Sequence, residues 1–301
     1  MLISNVGNAK NPNTSAVFDN MLDILIALLP AALSGILFFG FRAVLLIVCC
    51  VVSAAISEWA CGRWLLKNCD VKDLSAVVTG LLVALAMPPA MPLGAAVVCS
   101  VAATLIPRLF FGGHGCEVVN PAAFGAVLAA VSFPAAINKF SDAFSGFHTA
   151  VTPLTAPENS FTLKQLLFGA RPGAIGEVGA LFLLLGGIYL LIRRVISPII
   201  PVSVLVGATL GALIFNVSIT VTLLGGGLLF AAIFLATYST TSPENKSGQA
   251  LYGLFIGVLT VLLRKYSSFS EGVYFAVCLA CLLRPLFSAV PEIKIRRGTK
   301  A

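Results

Sequence analysis

Long apolar runs separated by short polar connections are the feature that most constrains this chain. About 58% of the 301 residues are hydrophobic and only 10% are charged, whereas a soluble domain carries about 25% charged residues. Apolar runs of about 20 residues are typical of helices that cross a bilayer. The sequence therefore predicts an all-α polytopic membrane protein with about ten transmembrane helices. The predicted spans are 21–40, 42–60, 74–89, 93–111, 119–138, 177–195, 199–216, 219–237, 248–265 and 271–289.

A long polar stretch divides these spans into two sets of five. An odd number of spans in each set gives the halves opposite topology, the pattern of inverted repeats in many transport proteins. The predicted organisation has five parts: an N-terminal segment 1–20, a first membrane half 21–138, a loop 139–176, a second membrane half 177–289 and a basic tail 290–301.

The basic residues predict the orientation of the chain. With the N-terminus in the cytoplasm, thirteen of the nineteen Lys and Arg residues, Arg108 among them, fall on the cytoplasmic side. The other six, including Arg171, fall outside. Cytoplasmic loops carry an excess of Lys and Arg, so both termini are expected inside and the 139–176 loop outside. The scattered charge also argues against a role in binding nucleic acid.

Few residues suggest metal or acid–base chemistry. Cys278 and Cys281 form a lone CxxC within an apolar run, which favours packing over a metal or redox centre. The acidic residues all lie in loops or near the ends of spans, with Asp23 and Glu58 deepest. For these two, placement at a helix end and a role in handling ions both stay open.

The polar loop contains the threonines Thr149, Thr152, Thr155 and Thr162. A loop of this length is uncommon unless it is functional or disordered. Thr152 precedes Pro153, which by itself indicates only a turn. A threonine hydroxyl is a poor nucleophile without an activating base, and only His148 is near, so a separate transferase would have to attach any group there.

Seven segments of the chain, in order, resemble one family of respiratory membrane proteins. They are similar to segments of the D subunit of the Rnf ion-translocating electron-transport complex and of the related B subunit of the sodium-pumping NADH:quinone reductase. The short segment 1–20 before the first span favours the first of these two proteins. The segments are MLDILIALLP (21–30), VTGLLVALAMPP (78–89), FGGHGCEVVNPAAFG (111–125), PGAIGE (172–177), ATYSTTSP (236–243), YGLFIGVLTVLLR (252–264) and EGVYFA (271–276).

The resemblance implies a covalent flavin. In that family the last threonine of an external loop motif, followed by Pro-Leu, is joined to FMN by a phosphoester bond, and the matching residue here is Thr152. A second, non-covalent flavin such as riboflavin is also implied, without residues. The implied partners are the other Rnf subunits, a flavin transferase and the lipid bilayer of a bacterial inner membrane. The implied function is electron relay between ferredoxin and NAD, coupled to translocation of Na+ or H+.

Two other functions are compatible with the sequence. Ten spans in an inverted repeat, with no soluble domain, would also suit a channel or secondary transporter for a small solute. A structural subunit without flavin would suit the same pattern. Covalent flavin on Thr152 separates the redox function from both alternatives.

Overall fold

In a computed structural model, the described residues form a helical bundle with one small hairpin. The structure describes residues 14–64, 74–111, 115–142, 146–150, 152–154, 161–169, 171–267 and 271–290. Thr155, His114, Cys69 and most of the predicted terminal segments lie outside these ranges. The helices are α1 (Thr14–Phe39), α2 (Phe41–Trp64), α3 (Ser75–Leu85), α4 (Leu93–Leu105), α5 (Pro121–Ser132), α6 (Pro134–Ile137), α7 (Leu163–Phe168), α8 (Ala180–Ile192), α9 (Ile199–Ile214), α10 (Ile219–Leu224), α11 (Leu228–Phe230), α12 (Lys246–Tyr266), α13 (Gly272–Leu282) and α14 (Arg284–Ser288), with a 3₁₀ turn at Leu109–Phe111 and a π-helix at Ala231–Leu235.

The helical membrane class is confirmed. Four helical stretches are long and apolar enough to cross a bilayer: Val17–Phe39, Phe41–Cys61, Leu93–Phe111 and Lys246–Tyr266. Five shorter apolar helices accompany them, namely α3, α5, α8, α9 and α13. The predicted boundaries needed correction at the start of the chain, because α1 begins at Thr14 rather than near residue 21. Segment 1–20 is therefore partly helical.

Close helix crossings depend on glycine. A Cβ on Gly207 of α9 would lie 2.5 Å from the Leu254 carbonyl oxygen of α12. A Cβ on Gly80 of α3 would lie 2.7 Å from the Cys50 carbonyl oxygen of α2. Small residues let helix backbones approach in this way where lipid supplies no hydrophobic drive between helices.

Two helices stop inside the bundle. Helix α3 ends at Leu85, and the prolines at 88 and 89 prevent its continuation. In the second half, α10, α11 and the π-helix form an interrupted path that ends at Leu235. Both ends are buried, and non-helical backbone at such depth is tolerated where protein or a cavity surrounds it.

The stretch from 139 to 176, predicted as a loop, contains secondary structure. Strand β1 (Phe140–Asp142) pairs antiparallel with β2 (Gly146–Ala150), so that Phe140 is opposite Ala150 and Ser141 is opposite Thr149. Helix α7 follows, with a capping box formed by Thr162 and Gln165. The hairpin is an exception to the all-α prediction. It lies directly before the Thr152 turn, and α7 follows the turn.

Candidate functional site

Thr152 lies in a short turn that packs against the bundle. Its side chain is only 4% exposed, and Pro153 beside it is also buried. The polar character of the stretch predicts a threonine that is open to soluble reagents. In this conformation the hydroxyl is covered instead.

Leu154 connects the turn to a cluster of buried charges. A Cβ placed on Gly226 would lie 2.7 Å from Leu154 Cδ1, 2.9 Å from Arg264 Nη2 and 2.6 Å from Glu271 Oε1. Gly226 has φ +62°, a left-handed conformation that favours glycine. Leu154 therefore rests on a glycine turn directly beside a charged pair.

That pair joins the end of α12 to the start of α13. Arg264 Nη2 lies 3.7 Å from Glu271 Oε2, and the same oxygen accepts a 3.0 Å hydrogen bond from the Gly227 N–H. Arg264 also donates to the carbonyl oxygens of Thr222 and Gly225, at 2.9 and 3.4 Å. The pair thus holds the glycine turn between α10 and α11.

Arg171 is the second buried cation of the cluster and is 1% exposed. Its Nη2 donates to the carbonyl oxygens of Glu177 and Leu224, at 2.8 and 2.9 Å. Its Nε and Nη1 are buried with no hydrogen-bond partner among the described residues. The sequence predicts Arg171 as an exposed orienting charge, because hydropathy cannot reveal that the segment folds back into the bundle.

Glu177 closes the cluster from the segment before α8. It accepts a 2.9 Å hydrogen bond from the Tyr274 hydroxyl and a 3.3 Å bond from the Ala174 N–H. The adjacent backbone reaches the broken end of α3, where Ile175 N–H donates to the Met87 carbonyl and Gly176 N–H to the Leu85 carbonyl, at 3.0 and 2.8 Å. We call Arg171, Glu177, Arg264 and Glu271 the far cluster. The name reflects its place beside the C-terminal end of α1, where the Ser34 hydroxyl donates to the Val178 carbonyl.

A second buried cluster lies at the opposite end of the bundle. Arg108, which is fully buried, lies 3.1 Å from Glu58 Oε1 and 3.8 Å from Glu117 Oε1, and it also donates to the Ser75 hydroxyl. We call these four residues the near cluster. The prediction that Arg108 is an orienting loop charge missed this role, and the deep position of Glu58 was the available signal.

Asp23 is paired rather than isolated. It accepts from the Tyr189 hydroxyl at 2.8 Å and from Arg193 Nε at 3.1 Å, which connects α1 to α8. Asp23 is buried, but one partner, Arg193, is exposed. Because α1 begins at Thr14, Asp23 lies more than two turns inside the helix and not at its end, so the helix-end prediction is wrong for this residue.

A cavity of about 270 Å³ opens beside this end of α1. Its apolar walls come from α1, α8 and the π-helix, including Met21, Leu190 and Phe234. Polar groups reach it from Asn20 and from the 237–240 segment. The Oγ1 atom of Thr240 has no hydrogen-bond partner among the described residues.

The described residues contain no group of three or more His, Cys, Asp or Glu side chains that could hold a metal ion. Cys281 lies 3.5 Å from the Tyr252 hydroxyl and is buried with the core. The packing interpretation of the CxxC pair agrees with this position.

Broken helices, buried charge clusters at both ends and a structured loop define a helical membrane protein of the transport type. The family model described as NQR2, RnfD, RnfE matches residues 9–295, and the chain belongs to this family. It is 33% identical to the D subunit of the Na(+)-translocating ferredoxin:NAD(+) oxidoreductase complex of Acetobacterium woodii, over 93% of this chain and 91% of that protein. It is 31% identical to the D subunit of the proton-translocating ferredoxin:NAD(+) oxidoreductase complex of Clostridium ljungdahlii, with the same coverage. It is 33% identical to the D subunit of the ion-translocating oxidoreductase complex of Stutzerimonas stutzeri, over 92% and 91%.

Proposed function

We propose that this protein is the D-type membrane subunit of an ion-translocating ferredoxin:NAD oxidoreductase of the Rnf type. Family membership over nearly the whole chain supports this, together with relatives that carry that name. One relative is named for sodium and another for protons, so the proposal covers cation translocation. The chain would act as one part of a multi-subunit oxidoreductase, not as an enzyme alone.

The proposed architecture is ten transmembrane spans in two inverted repeats. In this arrangement α2, α4 and α5 of the first half are equivalent to α9, α12 and α13 of the second. Helix α4 packs on α2 and α5, and α12 packs in the same way on α9 and α13. The proposed equivalents also meet across the halves, since α1 contacts α8 and α5 contacts α13. Such pairing is expected of a pseudo-twofold axis in the membrane plane.

The charged pairs support the same repeat. Arg108 follows α4 and faces Glu117, just before α5, whereas Arg264 ends α12 and faces Glu271, just before α13. The two pairs occupy matching places at opposite ends of the bundle. A parallel repeat would have placed them at the same end.

We propose that FMN is joined through its phosphate to the hydroxyl of Thr152. Two features support this group: the turn supplies the hydroxyl when it leaves its covered position, and the far cluster that Leu154 contacts contains Arg171, whose Nε and Nη1 have no hydrogen-bond partner among the described residues. When bound, FMN supplies one- and two-electron transfer. The chain's own part is to hold the threonine beside the bundle, next to the glycine turn between α10 and α11.

The cavity beside α1 is the proposed place for the second, non-covalent flavin. Its volume of about 270 Å³ is at the small end of ligand pockets, which suits a ring system better than a whole dinucleotide. Apolar walls with a few polar groups match a flat aromatic ligand. Asn20 and Thr240 would supply hydrogen bonds to it.

The proposed setting is the cytoplasmic membrane of a bacterium. Both termini and the near cluster would face the cytoplasm, and Thr152 and the far cluster would face the outside, as the distribution of Lys and Arg indicates. The proposed partners are the other subunits of the complex and a transferase that attaches the flavin.

The test is flavin fluorescence of the denatured protein, isolated from cells that contain the transferase. We expect a fluorescent band for the unaltered chain and none for Thr152→Ala, because the hydroxyl that forms the phosphoester is gone. Thr149→Ala is the matched control and should keep the fluorescence. Equal fluorescence in Thr152→Ala and Thr149→Ala would overturn the assignment of the site. Absence of flavin fluorescence in the unaltered chain would favour a transporter or a flavin-free subunit.

A further inference from the structure

The contact between Leu154 and Gly226 links the Thr152 turn to the far cluster. Leu154 is half-buried and follows Thr152 by two residues. It rests where the glycine turn, Arg264 and Glu271 come together. A side chain on Gly226 would collide with Leu154. Because Gly226 has none, Leu154 fits into the space beside Gly226, Arg264 and Glu271, which we call the seat.

The seat belongs to a rigid part of the molecule. Arg264 donates hydrogen bonds to the carbonyl oxygens of Thr222 and Gly225 in the glycine turn, and Glu271 accepts one from the Gly227 N–H. Arg171 holds the Leu224 carbonyl from the other side. A hydrogen-bonded charged network of this kind fixes the backbone it surrounds.

The two residues before Leu154 are buried together with this contact. The Thr152 side chain is 4% exposed, although it lies in the longest polar stretch of the chain. Pro153, between Thr152 and Leu154, is buried as well. The turn is therefore packed against the bundle at the place where Leu154 contacts Gly226.

We propose that Leu154 is a positioning residue: seated over Gly226 on the Arg264–Glu271 pair, it holds Thr152 against the bundle and withholds its hydroxyl from solvent. The inference rests on the proposed function for its importance, since Thr152 is the proposed site of FMN. The seat itself is a property of the unmodified chain. A transferase would meet the hydroxyl only when Leu154 has left the seat.

The test uses the full chain in membranes with Thr152→Cys and a membrane-impermeant maleimide, with the chain that retains Thr152 as background. We expect slow labelling of the cysteine in the seated protein. Adding Leu154→Ala should raise the labelling rate by about tenfold, because most of the apolar contact in the seat is lost. Phe168→Ala, an exposed apolar residue of α7 in the same stretch, is the matched control and should leave the rate unchanged.

Gly226→Ala gives a second route to the same result. The added methyl group would collide with Leu154, and the rate should rise as it does with Leu154→Ala. Gly40→Ala is the control, because Gly40 has a similar φ of +65° but nothing within 4 Å of an added Cβ. It therefore shares the backbone strain without the collision.

The two proposals fail in distinguishable ways. Rapid labelling in the otherwise unaltered chain, or equal rates with Leu154→Ala and Phe168→Ala, would overturn the seat and leave flavin attachment untouched. A protected cysteine that Leu154→Ala releases, in a chain whose Thr152 never carries flavin, would uphold the seat and overturn the proposed function.

Discussion

The near and far clusters contain the same kind of pair in two different settings. In the near cluster all four residues, Glu58, Ser75, Arg108 and Glu117, come from the first half of the chain. The far cluster takes Arg264 and Glu271 from the second half and adds two residues from the segment before α8. Through that segment it also bonds the end of α3.

The difference shows how one motif can serve two purposes. The near cluster ties the ends of helices within one half, where its contribution is structural. The far cluster connects both halves, both broken helices and the Thr152 turn.

The largest expected effect comes from removing the near-cluster cation. Arg108→Met takes away the charge that two buried carboxylates share, and we expect a loss of about 3–5 kcal/mol in the free energy of unfolding. Thermal unfolding in detergent measures it. Arg194→Met, at an exposed arginine, is the control and should change little. A stable Arg108→Met protein would mean that the near cluster does not hold the helix ends together.

Glu117 and Glu271 are the equivalent acids of the two arginine pairs, and their replacement separates the roles of the near and far clusters. Glu271→Gln keeps an acceptor for the Gly227 N–H but removes the charge facing Arg264, and we expect a loss of about 1–3 kcal/mol. Glu117→Gln should cost a similar amount in stability. Only Glu271→Gln should also speed maleimide labelling of Thr152→Cys, because only the far cluster supports the turn. Equal labelling in both variants would contradict the division of roles.

The smallest effect is expected at a single hydroxyl. Tyr274→Phe removes the hydrogen bond to Glu177 and should cost about 1 kcal/mol. Tyr189→Phe removes the comparable bond to Asp23, but Arg193 still pairs with that carboxylate at a partly exposed site, so the loss should be smaller. Paired unfolding curves compare the two. A larger loss for Tyr189→Phe would contradict the expectation that the buried bond in the far cluster contributes more than the bond to Asp23.

Much of the fold could be predicted from hydropathy, because spacing of apolar residues reports which segments can cross a bilayer. The helices at 41–64 and 246–266 fall where the apolar runs predict them. The buried positions of Arg108 and Arg171 could not be predicted in this way. Their burial depends on partners far away in sequence, such as Glu58 and Leu224, and a hydropathy profile carries no such information.

The assignment of Thr152 as the flavin site stays a prediction. Thr152 was found through resemblance alone, because a threonine before a proline has no distinctive local chemistry. The proposed role of Leu154 depends on a contact with Gly226, seventy-two residues further along the chain. No local pattern in the loop indicates that contact.

Mass spectrometry of the peptide that contains Thr152 decides whether this residue carries the flavin. In protein purified from cells that contain the transferase, we expect a mass excess equal to one attached FMN, with fragments that place it on Thr152. An unmodified Thr152 in that protein, with flavin absent or joined elsewhere, would contradict that assignment.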